Sequence, residues 1–241
     1  PMIAQKMADL LTPVKIGAVT EAEREKFLHH RSSSKYVKLD MYLEDENGRV
    51  VDTEMQNKSN NKMVQKELPL RIRYYQGMID QEILSSGTDY IFLKETYIIF
   101  ICTYDPFGKG KYVYHFHMTC DEDDSIQLYD KMNWIFYNTT ADLSEAPEGI
   151  KKFLSYVENE HAEDEFTRLL DKEVKNARLN EEWRSEYLKT YVNDMDMKRE
   201  GYLEGEAEKE KELLQNLMKT MHLTESEARE KLGINLDKHQ S

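Results

Sequence analysis

The segment KYVKLDMYLEDENGRVVDTEMQNK, residues 35–58, constrains this chain more than any other. Two runs of alternating residues, roughly 36–44 and 50–56, flank the turn sequence Asp45-Glu46-Asn47-Gly48-Arg49. Strands rich in Tyr, Val, Leu and Met around a glycine-bearing turn read as an antiparallel hairpin. A three-residue loop, Glu46-Asn47-Gly48, would seat Gly48 in the left-handed region, which glycine adopts without steric conflict. Asp45 then stands opposite Arg49, and counting outward places Asp40 opposite Glu54. A two-residue Asn47-Gly48 loop shifts the register by one and sends Asp40 and Glu54 to opposite faces. In the first register the facing side chains lie about 4.5–5.5 Å apart at Cβ, and Gln56 shares the face of Glu54. Two facing carboxylates repel each other unless a cation lies between them, and magnesium accepts such oxygen ligands. Asp52 shares the face of Glu54 as well, as an ordinary solvated polar face would have it.

Around the hairpin, MIAQKMADLL predicts a helix ending near Pro13, and the polar stretch 20–34 a short helix followed by a loop. From about 69 to 86, Ile72, Tyr75, Met78, Ile79, Ile83 and Leu84 recur at helical spacing, with Gly87 just beyond. KETYIIFICTY, residues 94–104, is a continuous apolar run, as expected of a strand buried on both faces. DPFGKGK predicts a turn, with further strands near 112–119 and 133–138, and TTADLSEAPEG, 139–149, a loop. The order helix, strand, strand, helix, strand is that of an α/β protein with a mixed sheet flanked by helices. Residues 1–140 are expected to form this domain and 141–241 a helical, charged extension. Near the end, Thr224 with Glu227 forms a capping box, Ala228 and Leu232 face inward, and Gly233 closes the helix. Glu225, Glu227 and Glu230 on that helix argue for packing or self-association rather than DNA reading.

At 241 residues and 39% hydrophobic content the chain can build one sizeable core plus an appendage. No run approaches the roughly 20 apolar residues of a membrane span, and no leader pattern opens the chain. Cys102 and Cys120 lack metal-ligand spacing and read as buried, reduced thiols of a cytoplasmic protein. His115 and His117 alternate on one strand and, without a third ligand, read as a solvated pair. The net charge of −13 argues against nonspecific nucleic-acid binding by the whole surface. Yet the charge is uneven: residues 1–138 carry net −4, residues 139–241 net −9, and the stretch 57–76 net +4. A basic segment beside an acidic site suits a phosphate backbone.

Three blocks, KLDMYLEDENGRVVDTEMQ, LPLRIRYYQGMID and YIIFICTYDPFGKGKYVYHF, occur in this order and spacing. Together they resemble the bacterial PD-(D/E)XK nuclease family transposases, also called recombination-promoting nucleases. The likeness covers most of residues 1–160, and the GYLEGEAEKEKE stretch resembles the family's helical tail. It implies a restriction-endonuclease-like fold whose hairpin carries the active site, and it favours the three-residue loop.

By that resemblance Asp40 matches the metal-binding aspartate and Glu54 the second acid. Gln56 stands where many relatives of the wider superfamily carry lysine, glutamine being usual for the transposase-like branch, whose motif reads E-x-Q; it can position a water but brings no positive charge. The carbonyl of Met55 corresponds to a metal ligand, its side chain being expected in the core. In the first helix Asp9 is the one acid that could match a further ligand. Lys58, Lys62, Arg73 and Gln76 are the expected DNA contacts, while the DPFGKG turn is expected to be structural. The implied function is Mg²⁺- or Mn²⁺-dependent hydrolysis of DNA phosphodiester bonds; the charged helical tail separately suggests a homo-oligomer assembled through it. The rival expectation is a non-catalytic DNA- or protein-binding module that keeps the nuclease fold.

Overall fold

A computed structural model describes residues 2–28, 37–58, 62–84, 87–123, 125–179, 211, 213–221 and 223–232. Helix α1 spans Met2–Leu11, strands β1 to β3 span Val19–Leu28, Val37–Asp45 and Val50–Gln56, and helix α2 spans Lys62–Ile83. Strands β4 to β6 follow at Thr96–Cys102, Val113–Phe116 and Met132–Asn138, then helices α3 at Glu148–Asn159 and α4 at Glu165–Leu179. The six strands form one mixed sheet in the order β1-β2-β3-β4-β6-β5. β3, β4 and β6 run parallel, while β1, β2 and β5 are antiparallel to their neighbours.

Every residue of β4 is buried, as its unbroken apolar run requires. Ile98, Phe100 and Cys102 pack with Leu68, Ile72 and Ile79 of α2. Tyr97, Ile99 and Ile101 pack with Ala8 and Leu11 of α1 and Phe153 and Leu154 of α3. The sheet is thus the middle of three layers, each face covered by helices because β4 is apolar on both. The hydroxyl of Tyr137 on β6 donates to the carbonyl of Leu11 at 2.9 Å, satisfying an end of α1 that the helix itself cannot.

Two elements differ from the sequence-based expectation. The stretch 19–28 is a strand, not a helix and loop. β1 is an edge strand whose residues are mostly exposed, so no apolar period marks it. Its pairing with β2 decides, and the charges at the edge protect it from other chains. Lys26 pairs with Glu21 at 3.1 Å and Glu23 at 2.8 Å and lies 3.8 Å over the Tyr42 ring. α2 begins at Lys62, seven residues ahead of Pro69, although proline normally opens a helix. Leu68 is buried in the same cluster as Ile72, and that packing carries the helix through the proline.

The chain divides into compact units at 1–173 and 174–241, not at 140. α3 belongs to the first because Ile150, Phe153 and Leu154 are part of its core. In the second unit Leu214 and Ala228 are buried. There the Thr224–Glu227 capping box forms, with the Thr224 amide donating to Glu227 at 2.8 Å. The tail stretch 201–210 and Gly233 lie outside the described residues.

Cys102 is buried, and burial pushes its thiol up to about 12. Cys120 is only half-buried and donates to Glu122 at 3.2 Å. No helix among the described residues is long and apolar enough to cross a membrane.

Candidate active site

The turn of the hairpin has three residues. The Asp45 amide donates to the Arg49 carbonyl at 3.0 Å, the Gly48 amide donates to the Asp45 carbonyl at 2.9 Å, and Gly48 has φ of 75°. The ladder pairs Glu44 with Val50 through Met41 with Thr53. One step further Asp40 faces Glu54, and there the ladder ends: β2 continues against β1 and β3 against β4. At this split each acid satisfies a backbone amide of the other strand. The Asp40 amide donates to Glu54 Oε1 at 2.8 Å, and the Met55 amide donates to Asp40 Oδ2 at 3.0 Å. Both carboxylates are thereby aimed into the opening between the strands.

The parallel register sets Asp52 beside Ile98, Glu54 beside Phe100 and Gln56 beside Cys102, so all three lie on the α2 face. Asp52, which reads in the sequence as a solvated outer residue, is 0% exposed, and neither of its oxygens has a hydrogen-bond partner. Burial, then the charges of Glu54 and Asp40, push its carboxyl well above the ordinary range. Glu54 is pushed up to about 8, first by burial and then by Asp40. Asp40, at the exposed rim, is raised by burial of its carboxyl, against the pull of the Met55 amide. Three carboxyls held against their ionisation make a site that favours a cation.

One cation already faces it. Arg71 on α2 donates through Nη1 to Gln56 Oε1 at 2.7 Å and through Nη2 to Tyr75 Oη at 3.0 Å. Its guanidinium lies 5.5 Å from the Tyr75 ring centre and 5.9 Å from that of Phe100. Arg71 appears in the sequence only as one charge in a basic stretch; its i, i+4 spacing to Tyr75 is the local signal that ties the two together.

The other expected contacts are dispersed. Gln76 is 4% exposed; its carbonyl oxygen accepts from Thr96 at 3.0 Å and Trp134 at 3.3 Å, and its amide donates to Asp80 at 2.9 Å. Thr96 begins β4 and Phe100, beside Glu54, lies four residues on, so Gln76 sits roughly 13 Å away along the strands. It knits the far end of the sheet and has no surface for DNA. Arg73 is exposed and, two positions from Arg71, points to another side of α2. Lys58 is exposed, its amide held by the Thr103 hydroxyl at 2.9 Å. The side chain of Lys62 lies outside the described residues. Met55 is 41% exposed rather than in the core, because β2 has parted from β3 and leaves that flank uncovered. Asp9 is exposed on α1, which covers the other face of the sheet.

The DPFGKG turn is structural. Asp105 accepts the amides of Phe107 at 3.1 Å, Gly108 at 2.9 Å and Gly110 at 2.7 Å, and the Tyr114 hydroxyl at 2.8 Å. His117 faces Gln127 at 3.5 Å. Among the described residues no three His, Cys, Asp or Glu side chains form a ready-made metal cage. Two carboxylates in an all-oxygen setting still suit magnesium, which is bound through one or two carboxylates, waters and substrate phosphates.

Over residues 9–238 the chain matches the PD-(D/E)XK nuclease family transposases. The chain belongs to this family. No curated protein and no solved structure matches it. The mixed six-stranded sheet between helices is the restriction-endonuclease-like α/β fold of PD-(D/E)XK proteins, and the family is nuclease-like and transposase-related.

Proposed function

We propose that the chain is a divalent-metal-dependent DNA endonuclease, and the facing of Asp40 and Glu54 across the split hairpin carries that reading. The fit to a hard divalent cation rests on the orphaned oxygens of Asp52 and the raised carboxyl of Glu54. Asp40, Glu54 and the carbonyl of Met55 would hold Mg²⁺ or Mn²⁺. When bound, such an ion polarises a phosphoryl oxygen and makes its bound water more acidic. Asp40 and Glu54 keep their orientation through the backbone amides they accept. Gln56 lines the same face beside them, and Asp52 lies beneath as a further carboxyl without a hydrogen-bond donor. Exposed Lys58 and Arg73, with Lys62, would carry the phosphate backbone to either side. The expected substrate is DNA.

Purified protein with Mg²⁺ or Mn²⁺ should nick or degrade DNA, and Asp40→Ala should abolish the cleavage. Equal cleavage by both proteins would assign the activity elsewhere, and no cleavage by the parent on plasmid, linear and single-stranded DNA would remove the reading. A non-catalytic binding module is the second reading, favoured by glutamine at position 56. Calorimetric titration with Mn²⁺ separates the two: a degenerate site shows no binding that depends on Asp40 and Glu54.

A further inference from the structure

On β3 the site presents the neutral side chain of Gln56, and the guanidinium hydrogen-bonded to it comes from α2. We infer that Arg71 supplies the positive charge at the scissile phosphate and that Gln56 is the acceptor that aims it. This rests on the nuclease reading above and assigns roles within that site.

Four observations converge on it. Arg71 Nη1 lies 2.7 Å from Gln56 Oε1, so the carbonyl oxygen of the residue on β3 already accepts from the arginine. The second arm is fixed by Tyr75 at 3.0 Å, one helical turn on, and Tyr75 is itself packed edge-on against Phe100, ring centres 6.0 Å apart. Asp40 and Glu54 both act electrostatically on Arg71, placing its charge beside the two proposed ligands. Finally, Gln56 is 8% exposed, so its pairing with the guanidinium is shielded from water.

A guanidinium carries five N–H donors in a rigid fork. With one donor to Gln56 and one to Tyr75 fixing its plane, the others remain for phosphate oxygens, which arginine recognises through paired bonds. The same geometry explains the glutamine. A lysine at 56 would bring a second cation to within hydrogen-bond distance of Arg71, where like charges repel strongly in a partly desolvated pocket. A neutral acceptor is the side chain that tolerates and orients the arginine. The cation of this site stands on the helix, and the strand residue is its support. Gln56 and Tyr75 are then positioning residues, and Arg71 is the group that touches substrate.

The consequence is a reciprocal dependence between positions 56 and 71. Arg71→Ala should lower cleavage at least about 100-fold, in the range seen when one preorganised transition-state donor is removed. Gln56→Lys alone should also lower it, by confronting the arginine. The double variant Gln56→Lys/Arg71→Ala should recover at least tenfold over Arg71→Ala, a strongly non-additive pair. Tyr75→Phe should lower kcat several-fold with KM little changed. Thermal melts accompany each variant, and if Arg71→Ala fails to fold, Arg71→Gln, which can still bond Gln56 and Tyr75, takes its place.

A second arm needs no cleavage. In the Asp40→Asn/Glu54→Gln background, which no longer repels phosphate, binding to a short duplex in EDTA is followed against KCl concentration. Adding Arg71→Ala should reduce the salt slope by about one, and adding Gln56→Lys should restore it. Cleavage by folded Arg71→Ala within threefold of the parent, no rescue by Gln56→Lys, or an unchanged salt slope each overturns the assignment. If the parent protein does not cleave, the nuclease reading falls, and the salt slope alone decides whether Arg71 contacts phosphate.

Discussion

Two aspartates of the same hairpin are buried, Asp45 at 2% exposure and Asp52 at 0%, and their environments are opposite. Asp45 accepts the amides of Gly17 at 2.8 Å, Asn47 at 2.9 Å and Arg49 at 2.8 Å, with the Arg49 guanidinium 3.7 Å away. Burial opposes its ionisation, but these backbone donors outweigh burial and hold the carboxyl below its ordinary value. Asp52 has no donor at all, and burial with two neighbouring carboxyls drives it the other way. A carboxylate that is fully hydrogen-bonded belongs to the fold: it staples the turn that sets the register. One left without a partner, beside two more acids, weakens the fold.

The largest effect that could break this contrast is Asp45→Ala. It leaves three backbone amides without their acceptor and should lower stability by about 4 kcal/mol in urea denaturation at pH 7; a loss below about 1 kcal/mol would mean the turn holds without it.

Next comes pH. Glu54 is raised from its ordinary value to about 8. A raised carboxyl binds its proton more tightly folded than unfolded, so the stability it contributes is complete below about pH 4 and lost as pH rises through about 8. Without divalent ions, stability of the sheet unit should therefore fall by on the order of 3 kcal/mol between pH 5 and pH 8.5. Asp52 acts in the same direction, Glu54→Gln should flatten the slope, and millimolar Mg²⁺ should reduce it. A flat profile in the parent would show that the acids ionise at no penalty.

Asp52→Asn removes a buried carboxyl that resists ionisation and should raise stability at pH 8 by about 1–2 kcal/mol, opposite in sign to the change at Asp45; equal signs in chemical denaturation would erase the distinction. The smallest effect belongs to Gly48→Ala. Gly48 has φ of 75° with only Lys94 Cε, at 3.8 Å, near a would-be Cβ. The loss should be the backbone strain alone, about 1 kcal/mol, read as a shift in the urea midpoint.

Much of the fold is readable where a segment's own chemistry decides it. The β4 run is apolar throughout and can only be central, and the alternation around Gly48 carries the hairpin. β1 is not readable, because an edge strand exposed along most of its length has no period and exists through its partner. The start of α2 is hidden in the same way: Pro69 signals a beginning, while burial of Leu68 extends the helix in front of it. Met55 and Gln76 show the corresponding limit for the site. Alternation and helical spacing give the side of an element, but not whether anything covers that side.

By itself the sequence narrowed the hairpin to two registers, one of which faces Asp40 with Glu54, since turn chemistry and a two-residue period are local. Only the tertiary structure decided that the sheet splits there, that Asp52 is sealed without a donor, and that Arg71 meets Gln56. Those facts depend on α2 lying over β3 and β4, and contacts between elements distant in the chain leave no period in the sequence to read.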